Sequence, residues 1–287
     1  MKWKKAVNIT LEGMIGYSIQ RVRPRNPVPL LPPRMPGDKM RPPAERDDRL
    51  LRAPVFVLAP VRSGSTLLRV LLNSHSWIHA PHETHFRRMT VNLPTDPLQQ
   101  ALAALGHNHS DVEHILWDRM LHRELARSGK RVLVEKTPSN VFAWLRISTC
   151  WPDARPVYLQ RHPVSIAQSW HEADPEMRPM EEAVRLISQY GKYMDDARRM
   201  TPGITLSYEA LTERPEEELR RLCAHLGLPW EPEMLQYGRH DHGEFVKGIG
   251  DWREKIRTGS VQPGRPLPDA AEVPEELKPM CESWGYL

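Results

Sequence analysis

Five consecutive residues, Arg62-Ser63-Gly64-Ser65-Thr66, concentrate donors that suit one kind of ligand, an oxyanion. They follow a short β-branched and apolar run, Val55 to Ala59. They precede Leu67, Leu68, Leu71 and Leu72, which fall at helical spacing. The run has the composition of a strand buried on both faces. Strand, glycine turn and helix together form a phosphate cradle: free backbone N–H groups at the helix start face the anion, and the helix dipole favours negative charge there. Gly64 allows close backbone approach, and the Ser65 and Thr66 hydroxyls add donors. Without a ligand, the same stretch would be an ordinary strand–turn–helix corner.

The turn is close to a Walker A loop but departs from it. Ala59 replaces the first glycine, and Ser65 stands where that loop has its lysine. A kinase or GTPase lacking that lysine loses its main cation on the transferred phosphate. Here a cation lies inside the turn instead, at Arg62.

Other apolar runs also end on polar groups. Trp77 to Ala80 leads into Pro81-His82-Glu83, and Arg131 to Glu135 into Lys136-Thr-Pro-Ser-Asn140. Pro156 to Gln160 leads into Arg161-His-Pro163, and Gly203 to Ser207 into Tyr208-Glu209. Helical segments are expected between the runs: 141–150, Pro163 to about Glu172, Glu181 to Arg199 and Pro215 to Gly227. Pro163 suits a first helical turn and Gly227 a C-cap. Residues 96–128 are expected to be helical with loosely repeating apolar positions, and a short helix should close the chain near Pro274 to Trp284. Short apolar strands alternating with helices specify an α/β fold, a central parallel sheet with helices on both faces. Its functional residues should gather at the C-terminal strand ends.

The 287 residues leave room for a sizeable core. The 40 basic and 36 acidic residues nearly balance, so the net charge of +4 suits a small polyanionic ligand and not nucleic acid, for which no module signature exists. Three scattered cysteines form no metal or disulfide pattern, which points to a reducing compartment. No segment has the apolar length of a membrane span, and no signal cleavage site follows the basic N-terminus, so a cytoplasmic location is expected. Three segments are expected: an amphipathic helix within 1–20, a Pro- and Arg-rich arm or linker over 21–49, and the main domain over 50–287. Docking of the N-terminal helix on the main domain or a second subunit is the plain reading, so a homodimer is allowed.

Together these motifs resemble the sulfotransferases that use 3′-phosphoadenosine-5′-phosphosulfate (PAPS), over about residues 54–253. Arg62-Ser-Gly-Ser-Thr66 is similar to the loop that binds the 5′-phosphosulfate. Arg161, with Ser169 eight positions on, resembles the 3′-phosphate motif. Tyr208-Glu209 resembles a segment near the adenine. Lys247-Gly248-Ile-Gly-Asp-Trp252 resembles the late loop that closes on the 3′-phosphate. The resemblance implies a P-loop-like sulfotransferase architecture, PAPS as donor with 3′,5′-adenosine bisphosphate as product, and no metal. The residue chemistry agrees, since a helix N-terminus can hold the 5′ end while an arginine and a hydroxyl clamp the 3′-phosphate. Leu67 stands where the family stacks a tryptophan on adenine, so another apolar contact is required.

The histidine base of the phenol and steroid branch is missing, because Pro138 follows Lys136-Thr137. The tyrosylprotein and some carbohydrate sulfotransferases place a glutamate after the second strand, where this chain has Glu83. Glu83 is therefore read as general base, its pKa raised by a closed apolar site and lowered by Arg62 and Lys136. His82 is the rival base, with the more suitable unperturbed pKa. His75, His79, His82 and His85 suggest a metal, but His82-Glu-Thr-His85 lacks the zinc-protease spacing, and no metal is expected. Lys136 and Arg62 are expected to stabilise charge on the bridging and sulfuryl oxygens. The acceptor is expected to be a small molecule, sugar or lipid of natural product biosynthesis. Two other readings remain, a P-loop-type nucleotide kinase and a catalytically inactive nucleotide-binding scaffold.

Overall fold

Alternation along the first strand decides the architecture. In a computed structural model of the chain, β1 (Val55–Leu58) sends Val55 and Val57 into one core and Phe56 and Leu58 into another. The structure describes residues 40–243 and 254–287. All of these belong to the second of two compact units into which the chain divides, residues 34–287. The expected N-terminal helix, most of the proline-rich arm, Lys247 and Gly248 lie outside the described residues.

Four strands join β1: β2 (Ile78–His79), β3 (Val132–Glu135), β4 (Arg155–Gln160) and β5 (Ile204–Ser207). They form one parallel sheet in the order β2-β3-β1-β4-β5. Val55 is level with Val134 on one side, and Val57 with Val157 on the other.

Ten α-helices are found among the described residues. They are α1 (Ser65–Asn73), α2 (Asp96–Ala104), α3 (His109–Ser128), α4 (Trp144–Cys150), α5 (Pro163–His171), α6 (Met180–Met200), α7 (Tyr208–Glu213), α8 (Pro215–His225), α9 (Glu254–Arg257) and α10 (Lys278–Trp284). Helices α1, α7 and α8 cover one face through Leu68, Leu71, Leu211, Leu219 and Leu222. Helices α3, α4, α6 and α10 cover the other, through Trp117, Trp144, Ile187, Met194 and Trp284. The layers confirm the α/β fold with helices on both faces.

The structure departs from the sequence reading at three places. Residues 96–128 form two helices, and their apolar pattern is loose because α2 buries nothing while α3 buries polar groups. Asp118 of α3 accepts from the backbone N–H groups of Leu50 and Leu51 at 2.7 and 3.1 Å and from Trp151 Nε1 at 2.9 Å. Residues 138–143 form a 3-10 segment before α4, and Tyr208 opens a helix immediately at the end of β5, capped by Ser207 Oγ accepting from Ala210 N at 3.1 Å. Cys150, Cys223 and Cys281 are free and buried, and burial pushes their thiols up to about 12, 11 and 11.

Phe56 anchors β1, and with it the turn that follows, in an aromatic cluster: ring centroids lie 5.6 Å from Trp151 and 6.0 Å from Phe86 and Trp144. Phe56→Ala is expected to lower the unfolding free energy by about 3–5 kcal/mol, read as a lower denaturant midpoint at an unchanged slope.

Candidate active site

Parallel strands share one C-terminal edge, and that edge collects the polar groups in sheet order. Glu83 lies beyond β2, Lys136 follows β3, Arg62 to Thr66 follow β1, Arg161 follows β4 and Tyr208 follows β5. From β3 to β4 is two strand spacings, about 10 Å. The chain leaves β1 toward β2 and leaves β4 toward β5, so the connections diverge between β1 and β4. Such a divergence opens a crevice at the strand ends where ligands bind.

The turn after β1 is built for close approach. Ser63 Oγ donates to the Pro60 carbonyl at 2.8 Å, tightening the turn. Gly64 caps α1 with φ +87°, and Arg62 also takes a positive φ, +63°. A Cβ on Gly64 would lie 2.2 Å from Tyr208 Cδ2, so the aromatic ring lies flush on the turn and only glycine fits. Ser65 and Thr66 open the buried start of α1, whose first turn contains no acidic residue. An anion at this N-terminus would meet only donors and the positive dipole end.

Arg161 faces the same turn. It is only 8% exposed, its Nη1 donates to the Arg62 carbonyl at 2.8 Å, and its guanidinium lies 4.5 Å from the centre of the Tyr208 ring. Among the described residues it has no carboxylate within ion-pair distance. Glu209, the nearby candidate, accepts instead from His162 N at 3.0 Å and Tyr286 OH at 2.6 Å. Burial holds the Arg161 pKa below the ordinary arginine value; Tyr208 and Glu209 oppose this, and Arg265 and Arg62 add to it. Ser169, buried on α5, accepts from Arg62 Nε at 3.3 Å. A buried guanidinium with only carbonyl and aromatic partners among the described residues is short of the counter-charge that burial calls for.

The other half of the edge pairs opposite charges. Lys136 Nζ donates to Glu83 Oε1 at 2.5 Å, and Glu83 Oε2 lies 3.6 Å from His85 Nε2. Lys136 is fully buried; burial pushes its pKa down, and the Glu83 carboxylate opposes the shift. Beneath the pair, Glu135 is wholly buried and accepts from Thr84 Oγ1 at 2.8 Å, Thr84 N at 3.3 Å, Thr137 Oγ1 at 2.6 Å and Asn140 Nδ2. Burial pushes the Glu135 carboxyl up, and the hydrogen bonds from Thr137 and Thr84 resist it. Behind lies Arg69, also buried. Its Nη1 donates to the Ala80 carbonyl at 3.1 Å, and burial lowers its pKa to about 10 against the pull of Glu83.

Some expected residues meet in these two clusters and others do not. Ser63 to Thr66, Arg161, Ser169 and Tyr208 gather around the turn, and Glu83 meets Lys136. Arg62, expected beside Lys136, has its Nε on Ser169 at the Arg161 side. His82 turns toward Gly243, where a Cβ would lie 2.6 Å from its Nε2. Burial, then Arg69 and Lys136, pull the His82 pKa below its usual value, so it is neutral at pH 7. Leu67 is half-buried, packed against the core that holds Leu68, Leu71 and Leu222. Sequence reasoning missed Arg69, Glu135 and the pairing of His85 with Glu83. A charged residue closing a buried strand was the available signal for Glu135, and a cation on the leucine-rich face of α1 for Arg69. Among the described residues, no group of three or more His, Cys, Asp and Glu could hold a metal, and no helix is long and apolar enough to cross a membrane.

Comparison with known proteins agrees with this fold. The model of a family described as "Sulfotransferase family" matches residues 54–232. The nodulation protein NoeE of Sinorhizobium fredii is 28% identical over 69% of this chain and 55% of that protein. The chain spans 30% and 55% of the length of two curated relatives that it matches. The sulfotransferase domain of the Synechococcus PCC 7002 olefin synthase aligns with a TM-score of 0.64 at 21% identity, covering 87% of this chain and 99% of that one. The sulfotransferase domain from the curacin biosynthetic pathway aligns at 0.61 and 21%, covering 83% and 99%. These two structures share the fold.

Gly64→Ala is expected to push against the Tyr208 ring and to strain a left-handed backbone. The strain should lower the unfolding free energy by about 1–3 kcal/mol, and displacement of Tyr208 should weaken anion binding. Thermal unfolding with and without nucleotide measures both.

Proposed function

Because the chain belongs to the sulfotransferase family, we propose that it moves the sulfuryl group of PAPS to a hydroxyl or amine of a small-molecule, sugar or lipid acceptor, with Glu83 as general base. The observation that carries the donor assignment is Arg161, buried beside the acid-free start of α1 and, among the described residues, without a carboxylate partner. PAPS has two anionic positions on one ribose, and the edge offers two anion sites. The α1 start, with Arg62 to Thr66, suits the 5′ end. Arg161 and Ser169 suit the 3′-phosphate. Tyr208 and Leu67 would face the base, and Lys247 and Gly248 would close over the 3′ side.

The donor supplies an activated sulfuryl group; the chain supplies position and charge. Glu83 takes the acceptor proton, and His85 beside it helps to hold the carboxylate in place. The Glu83–Lys136 pair gives this step a further consequence. A protonated Glu83 no longer holds Lys136 as an ion pair, so the ammonium is released toward the bridging oxygen while negative charge grows there. The backbone N–H groups of Ser63 to Thr66 keep the phosphate still, which supplies orientation. Arg62 would have to leave Ser169 to share the charge on the sulfuryl oxygens.

Two competing readings are weaker. A P-loop-type kinase would need the loop lysine that Ser65 replaces. An inactive scaffold would have no use for a carboxylate and an ammonium held together beside the anion site. A cytoplasmic setting is supported by three unpaired thiols. Natural product biosynthesis as the setting is supported by the similarity to the sulfotransferase domains of the curacin biosynthetic pathway and of an olefin synthase.

Adenosine 3′,5′-bisphosphate should bind without metal and more tightly than ATP with Mg²⁺; the opposite preference would overturn the donor assignment. In an acceptor screen with labelled PAPS, Glu83→Gln is expected to cut turnover by ~10²–10⁴-fold with bisphosphate affinity retained, while His82→Ala remains active. Normal turnover by Glu83→Gln with a dead His82→Ala would move the base to His82.

A further inference from the structure

The segment after α9 passes alongside the anion corner. Gly238 N donates to Gly259 O at 3.0 Å and Tyr237 OH to Ser260 O at 2.9 Å, which fixes its start. A Cβ on Gly264 would be 3.5 Å from Tyr208 Cε1, so the segment touches the ring on which Arg161 lies. Arg265 comes next. Its Nη1 and Nη2 donate to Glu172 Oε1 and Oε2, both at 2.7 Å. Glu172 directly follows α5 and is three residues beyond Ser169, so the two lie one turn apart on the same side of that helix. The Arg265 charge is felt at Arg161 and favours its neutral form, placing two guanidinium groups in one neighbourhood.

We propose that Arg265 is a second guanidinium of the 3′-phosphate site, joining Arg161 and exchanging the Glu172 carboxylate for the phosphate when the nucleotide binds. The inference rests on the PAPS reading of the same edge. Three features favour it. The planar fork that grips a carboxylate with two parallel bonds fits two phosphate oxygens equally well. The Arg265–Glu172 pair is 45% and 43% exposed, so water and salt screen it and little holds the guanidinium in place. A phosphate with nearly two charges beside Arg161 outcompetes one solvated carboxylate. The distance to cover is about one helical turn, ~5.4 Å, within the swing of an arginine side chain. In the nucleotide-free state Glu172 then holds Arg265 close to its station and away from like charge.

Calorimetry with adenosine 3′,5′-bisphosphate and with adenosine 5′-phosphate tests the assignment. Arg265→Gln is expected to weaken the bisphosphate by on the order of 10-fold or more and to leave the 5′-phosphate unchanged. Arg265→Lys, which keeps the charge and loses the fork, should fall between. Glu172→Gln removes the competitor and should bind the bisphosphate as tightly as the unmodified protein, or more tightly. The assignment is overturned if Arg265→Gln leaves bisphosphate affinity intact or weakens both nucleotides alike. It is also overturned if Glu172→Gln weakens the bisphosphate as much as Arg265→Gln, since the pair would then only brace the segment. An unmodified protein that binds both nucleotides equally sinks the donor reading and this assignment with it. Discrimination that survives undiminished in Arg265→Gln sinks this assignment alone.

Discussion

Withdrawing a guanidinium from water is unfavourable unless an anion or a set of acceptors receives it. Among the described residues, Arg161 meets that constraint only in part, through one carbonyl and the face of one ring. Much of the edge is arranged around this incomplete satisfaction. The carbonyl belongs to Arg62, so the position of Arg161 fixes the turn after β1. The ring belongs to Tyr208, whose contact with Gly64 fixes the same turn from the opposite side. Glu209 could neutralise the arginine but is engaged by His162 and Tyr286. The unmet charge is therefore maintained by the fold, and a bound phosphate would complete it.

The second half of the edge is ordered by a single carboxylate that takes no part in the proposed chemistry. Glu135 accepts from Thr84, the residue after Glu83, and from Thr137, the residue after Lys136. The two side chains of the proposed proton step are thus each one residue from the same buried anchor. A wholly buried carboxylate is tolerable because hydrogen-bond donors surround it, and such networks specify one arrangement of their surroundings. The short contact between Lys136 and Glu83 follows from this shared tether.

The strands were legible because burial leaves a compositional mark: Val55 to Leu58, Val132 to Glu135 and Ile204 to Ser207 are short, β-branched and bounded by turn or polar residues. The oxyanion turn was legible because its glycine, hydroxyls and following leucines are local in sequence. What sequence could not convey were contacts across strands. Nothing near Arg62 shows that its side chain would turn to Ser169 on α5 and leave the Glu83–Lys136 pair. Nothing near His85 shows that a left-handed backbone would return its ring toward Glu83. Helix α3 was blurred for a related reason, since Glu113 and Asp118 lie on its buried side as hydrogen-bond acceptors and interrupt the apolar period.

The burial of all three thiols has a practical side. Cys150, Cys223 and Cys281 are enclosed in the two cores with their ionisation suppressed, so alkylating reagents at neutral pH find almost no thiolate to attack. A cysteine engineered into the segment beside Tyr208 would then react nearly alone. The native chain thereby serves as its own silent background for a fluorophore or spin label, and movement over the C-terminal strand edge can be followed spectroscopically without first stripping sulfur from the interior.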